Sequence, residues 1–207
     1  FDIRKCCMEY LFRPEFTTAE DRVQQTNTTA VIRRVLLGVM AQYKIRFSEQ
    51  AFQSINRYLY TTWRRNQDGH VVTTAPGGLE LMQEMREYVI AIKLVREMTA
   101  ADVVIRDEPG EIQYISAYLA GLRILSDEHN LPFHPQSQET VQHLTGILLD
   151  CVYRVYGLNF RENLDVRIAL YHHMLTFYIR MLYGIPLENP ILEEIKQNYP
   201  FAFSMAQ

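Results

Sequence analysis

The sequence predicts an all-α protein, and three observations carry that reading. Nine Gly and eight Pro stand against 13 Tyr and 10 Phe, too few turn formers for a many-stranded architecture. Apolar residues recur at every third or fourth position through most of the chain, the period of a helix with one buried face. The stretch from His70 to Gly78 carries β-branched residues but is short and runs into Pro76-Gly-Gly, so it reads as a loop with at most a few extended residues rather than a sheet.

The helices follow in order. Thr17-Thr-Ala-Glu20 has the spacing of a capping box, in which a hydroxyl and a carboxylate satisfy backbone donors left over at a helix start. Beyond it Val31, Val35, Val39 and Tyr43 recur every four residues. A second helix is expected from Ser48, with Phe52, Ile55, Leu59 and Trp63 on one stripe and Gly69 as its stop. A third is expected over Leu79 to Met98, carried by Leu81, Met85, Tyr88, Ile92 and Val95. Glu108-Pro109-Gly110-Glu111 opens the next, because Pro is tolerated at the first helical position and acids complement the helix dipole; Ile112, Ile115, Leu119 and Leu122 form its buried face. Ser126 to Gln136, with two prolines, is the expected linker. Helical pattern resumes with Val141, Leu144, Leu148, Cys151 and Val155, stops at Gly157, and restarts near Arg161 to reach Tyr183. Gly184, Pro186 and Pro190 break it before a last helix over Ile191 to Gln197.

Composition narrows the function. At 207 residues and 48% apolar the chain is able to bury one large core or two small ones, which excludes disorder as its main state. A net charge of -3 leaves no basic excess to hold a nucleic-acid backbone across a face. Cys6, Cys7 and Cys151 are an odd set without metal spacing, which suits a reducing cytoplasm. No apolar run has the length of a membrane span, and the chain opens at Phe1 without an initiator Met, as a piece of a longer protein would. No catalytic motif such as G-x-S-x-G, a P-loop or G-x-G-x-x-G occurs; His129, His134 and His143 lack ligand spacing, so neither a metal nor a cofactor is expected, and the chain reads as non-enzymatic.

An internal repeat organises the chain. RYLYTTWRRNQDG, residues 57–69, and HHMLTFYIRMLYG, residues 172–184, each place an aromatic or His residue seven positions before an Arg and that Arg four before a Gly. The matched positions are Tyr58, Arg65 and Gly69 in the first copy and His173, Arg180 and Gly184 in the second, about 115 residues apart. Four segments are expected: a lead-in over 1–16, a first helical domain over 17–126, a linker over 127–136, and a second helical domain over 137–207. The last lacks its final helix or two, since little chain follows Tyr199.

The residues LYHHMLTFYIRMLYGIPLENPILEEIKQNYPFAF, 170–203, give an ordered series: Leu, two residues and His, an Arg seven on, a Gly, Asn-Pro, an acidic-Ile-Lys run and Tyr-Pro. That series resembles the PTS regulation domain (PRD), a five-helix module repeated in tandem in activators and antiterminators of sugar operons. The resemblance implies phosphorylation at His173 by the phosphocarrier HPr or the EIIB component of a sugar permease, and rearrangement of a homodimer. It also implies output through a DNA-binding or RNA-binding domain outside these residues. By the same resemblance the first copy is degenerate, with Tyr58 and Tyr118 where the family carries histidines.

His172 is the rival phosphosite, pointing about 100° from His173 on the same helix. Arg180 suits a phosphate or a partner carboxylate, and equally an intramolecular ion pair. Arg33-Arg34 and Arg64-Arg65 read as solvated faces more readily than as a basic patch. Asp107, Glu108 and Glu111 read as acids at a helix N-terminus rather than as catalytic carboxylates. The alternative function is a helical interaction or dimerisation module of a virulence or metabolic regulator that no longer undergoes phosphotransfer, as the tyrosines at 58 and 118 would suit.

Overall fold

The computed structural model describes residues 2–73, 82–83, 85–122, 135–185 and 192–205. Among them the regular structure is entirely helical: α1 Asp2–Leu11, a single 3-10 turn Pro14–Phe16, α2 Ala19–Tyr43, α3 Glu49–Gln67, α4 Arg86–Ala100, α5 Pro109–Leu122, α6 Pro135–Tyr156, α7 Leu164–Tyr183, α8 Leu192–Asn198 and α9 Pro200–Met205.

Local chemistry sets most boundaries. Ser48 caps α3 by accepting from the Ala51 amide at 3.1 Å, and Gly69, at φ +81°, turns the chain away two residues beyond the helix. Gly157 and Gly184 hold the same left-handed conformation after α6 and α7. The capping box of α2 sits one residue later than the sequence suggests, on Thr18 and Asp21 instead of Thr17 and Glu20. Thr17 is taken up in ending the 3-10 turn, and its hydroxyl donates to the Arg13 carbonyl.

Other expectations shift as well. α4 starts at Arg86, not Leu79, and Met82 and Met85 are buried ahead of it; Leu79 to Leu81 and Glu84 lie outside the described residues. α7 starts at Leu164, not Arg161, because the Asn163 side chain accepts from the Val166 amide at 3.1 Å and Arg161 is drawn to Asp150. The last helix runs over Leu192–Asn198, and the sequence reading missed α9. Of the expected linker, residues 127–134 lie outside the described residues, whereas Pro135 and Gln136 already belong to α6. The Pro76-Gly-Gly turn, Pro186, Pro190, His129 and His134 also lie outside them.

The first helical unit, α2–α5, holds the main core. Ile32, Leu36, Val39, Ile55, Leu59, Leu94, Met98, Ile115 and Leu122 are all buried there, and Val31, Val35 and Tyr43 flank them. α2 thus buries Val39 of the row its sequence singled out, while Ile32 and Leu36, one position along from Val31 and Val35, are its other two buried residues. The same core extends to Ile179 and Ile185 of the second unit, so α5 packs on α7 as well as on α3 and α4. The lead-in is no loose tail. α1 docks against α3, Phe12 meets Tyr60 edge to face at 5.5 Å, and Tyr10 stacks on Phe16 at 4.1 Å.

Candidate functional site

α7 carries the sequence-predicted site. Its buried anchors are Leu175 and Ile179, one turn apart. His173 lies about 200° around the helix from Leu175, which places its imidazole in solvent; His172 is only about 60° away, and it is half-buried. The Tyr171 and His172 rings meet edge to face at 5.8 Å. His172 lines a groove of about 590 Å³ between α6 and α7, together with Thr145, Leu149, Arg167, Ile168 and Tyr171. His173 is not among its walls.

Arg180 shares the helical face of His173, two turns on, but its guanidinium is directed elsewhere. Its Nε donates to the Gly121 carbonyl at 2.7 Å, satisfying an acceptor near the C-terminal end of α5, and burial lowers its pKa from the ordinary guanidinium value. Ile185 closes on the same point, since a Cβ at Gly121 would sit 2.6 Å from the Ile185 Cδ1. The structure therefore joins Arg180 to the first unit rather than to His173.

The first copy of the pattern is arranged differently. Tyr58 and Tyr118 are both buried and stack face to face, ring centroids 4.0 Å apart and planes 7° apart. The Tyr118 and Ser54 hydroxyls share a 2.7 Å hydrogen bond, and Arg4 donates to the Tyr58 hydroxyl at 3.1 Å. Burial raises both phenols, Tyr118 to about 12. Along the repeat, His173, Phe177 and Met181 match Tyr58, Thr62 and Asn66. The first three are exposed; the second three are buried beneath α1 and α5.

The centre of that cover was not foreseen. Arg4 and Glu111 form an ion pair at 4% and 0% side-chain exposure. Arg4 also donates to Thr62 at 3.3 Å, and Glu111 accepts from the Asn66 amide at 3.1 Å and the Val72 backbone N–H at 2.9 Å. Burial opposes the charge on Arg4, and Tyr58 and Glu111 more than offset it, so its pKa is raised. Glu111 is thus not a solvated acid of a helix start. The available signal was its register: Glu111 stands one turn before Ile115 and in line with Leu119 and Leu122, on a stripe that is otherwise apolar. Asp107 and Glu108 precede the first residue of α5.

Among the described residues no three His, Cys, Asp or Glu side chains gather as a metal site, and no helix is long and apolar enough to cross a membrane.

Comparison with known proteins finds similarity to one family over part of the chain. Residues 146–207 match the PRD domain. Over 173 residues, 84% of this chain and 27% of the relative, the sequence is 24% identical to the "Probable licABCH operon regulator" of Bacillus subtilis (strain 168). It is 20% identical over 177 residues, 84% of this chain and 26% of the relative, to the "Transcriptional regulator ManR" of the same organism. The chain spans about a quarter of the length of these curated relatives. No solved structure matches it significantly. Residues 146–207, which include α7 and His173, are thus similar to the PRD domain.

Proposed function

We propose that this chain is the non-catalytic regulatory segment of a cytoplasmic transcriptional regulator of carbohydrate genes, controlled by phosphorylation of His173. The observation that carries the reading is the exposure of His173 on α7, within the residues that match the PRD domain, where a docking phosphodonor has access to the ring. The donor is HPr or the EIIB component of a sugar permease. An imidazole nitrogen of His173 attacks the donor's phosphoryl phosphorus; the bond from phosphorus to the donor side chain breaks as the new P–N bond forms, and the proton lost from His173 passes to the leaving donor side chain. The near-neutral ring becomes a group carrying up to about two negative charges. That charge redistributes a homodimer and, through it, a DNA-binding or RNA-binding domain outside these residues. One named relative is a probable operon regulator and the other a transcriptional regulator, which supports this direction.

Incubation with phosphoenolpyruvate, enzyme I and HPr, followed by intact-mass measurement, tests the assignment. Addition of one phosphoryl group, abolished by His173→Ala and kept in His172→Ala, is the expected result. Loss only in His172→Ala moves the site to the half-buried neighbour.

A second reading, a helical interaction or dimerisation module without phosphotransfer, is favoured by the first copy, where both family histidine positions hold buried tyrosines. Absence of phosphoryl transfer from both HPr and the EIIB component would select it.

A further inference from the structure

We infer that α5 is a coupling strap between the helix carrying His173 and the lead-in helix α1, so that a displacement of α7 loosens α1. Three observations carry this, and none depends on His173 being modified.

The first is that α5 is clamped at both ends to different parts of the chain. Near its N-terminus Glu111 holds Arg4 of α1, whose guanidinium also lies 5.4 Å from the centre of the Tyr114 ring. Near its C-terminus the Gly121 carbonyl accepts from Arg180 of α7. Glycine at 121 lets α7 come that close, because the Ile185 side chain occupies the space a Cβ would need.

The second is that α5 has little freedom between the clamps. From Gly110 to Leu122 every residue except Tyr114 is buried, so the helix transmits a shift along its length rather than absorbing it. Any tilt at Gly121 therefore reaches Glu111. There the response is abrupt, because drawing a buried carboxylate off its guanidinium leaves two unpaired charges out of water.

The third is a repeated clamp. The arginine matched by the repeat to Arg180 is Arg65. Arg180 grips the helix that precedes the second unit, and Arg65 grips the helix that precedes the first, donating to the Cys7 Sγ of α1 at 3.4 Å. α1 is thus docked on α3 as α5 is docked on α7, and Arg4–Glu111 links the two docked helices in series.

Cys7 supplies the readout, since its half-buried thiol lies under the Arg65 contact and is uncovered when α1 leaves α3. In a Cys6→Ser, Cys151→Ser background of the chain, the rate at which Cys7 reacts with an aromatic disulfide is measured. Glu111→Gln, which breaks the α1 clamp directly, raises that rate and calibrates it. Arg180→Met acts only through α5 and is expected to raise it roughly three- to tenfold with helicity retained. Lys93→Met, which removes a surface pair with Glu97, leaves it within about twofold. Should Arg180→Met fail to fold, Ile185→Val, which loosens the contact against Gly121, carries the same expectation at smaller size. A Cys7 rate unchanged in the α7 variants while Glu111→Gln raises it overturns the coupling. So does an equal rise in Lys93→Met, which would mark general loosening.

Discussion

Tyr58 and Tyr118 stack in parallel in the core of the first unit, 4.0 Å between ring centroids, on helices α3 and α5. Both rings are buried, so the pair acts through packing. A tyrosine ring buries far more apolar surface than an imidazole and needs only its hydroxyl satisfied, which Arg4 and Ser54 do here.

Truncating one ring removes both the stack and its filled volume. Tyr58→Ala is expected to cost about 3–5 kcal/mol, and Tyr118→Phe, which keeps the stack and loses the Ser54 bond, about 1 kcal/mol. Urea denaturation followed by far-ultraviolet circular dichroism measures both. Equal costs would mean that the stack contributes nothing beyond the hydroxyl.

The same two phenols contribute, with Tyr183, to the alkaline limit of the fold. Burial raises the folded-state pKa of each above its ordinary value near 10, Tyr118 to about 12. A folded pKa raised above the unfolded one gives stability that is complete below about pH 10 and is lost as pH climbs through the folded value. The unfolding free energy should be flat from neutrality to about pH 10 and fall from there toward pH 12. Tyr118→Phe should flatten part of that fall, and a wild-type curve that stays level to pH 12 would contradict the assignment.

Placing histidine at 58 should not create a phosphosite. The position is 1% exposed, beneath Arg4 and against Tyr118, so a donor has no path to it. Tyr58→His, incubated with phosphoenolpyruvate, enzyme I and HPr, is expected to take up no more phosphate than the unaltered chain. An additional phosphoryl group mapped to residue 58 would show that α1 opens readily.

Glu111 tests how α1 is held. Glu111→Ala leaves Arg4 charged and buried, and the expected loss is about 3–5 kcal/mol, with hydrogen exchange rising first in α1. Replacing both partners, Arg4→Met with Glu111→Leu, should recover much of it, since an apolar pair carries no unpaired charge. A double variant no better than Glu111→Ala would place the loss in the Asn66 and Val72 bonds instead.

Much of this fold was legible because its punctuation is local. Ser48, Gly69, Pro109, Gly157 and Gly184 act on the few residues beside them, and each marks a boundary within a residue or two of where the chain turns. Helix starts with competing caps were harder. Thr17 and Thr18 both offer a hydroxyl, and the choice depends on the 3-10 turn before them. His173 was singled out from ordered spacing alone; its exposure emerges only with the burial of Leu175 and Ile179 on the same helix. Arg4 and Glu111 were not readable as a pair, because they stand 107 positions apart and nothing in either segment names the other. The Arg180–Gly121 contact, 59 positions apart, escaped for the same reason.

The central claim is that His173 receives a phosphoryl group. It is tested most directly by digesting the HPr-treated chain under alkaline conditions, which preserve phosphohistidine, and fragmenting the peptide that spans α7 in a mass spectrometer. The account predicts phosphate on His173 and none on His172, Tyr58 or Tyr118. Phosphate on His172 alone, or an unmodified α7 peptide after transfer from both HPr and the EIIB component has been attempted, would contradict it.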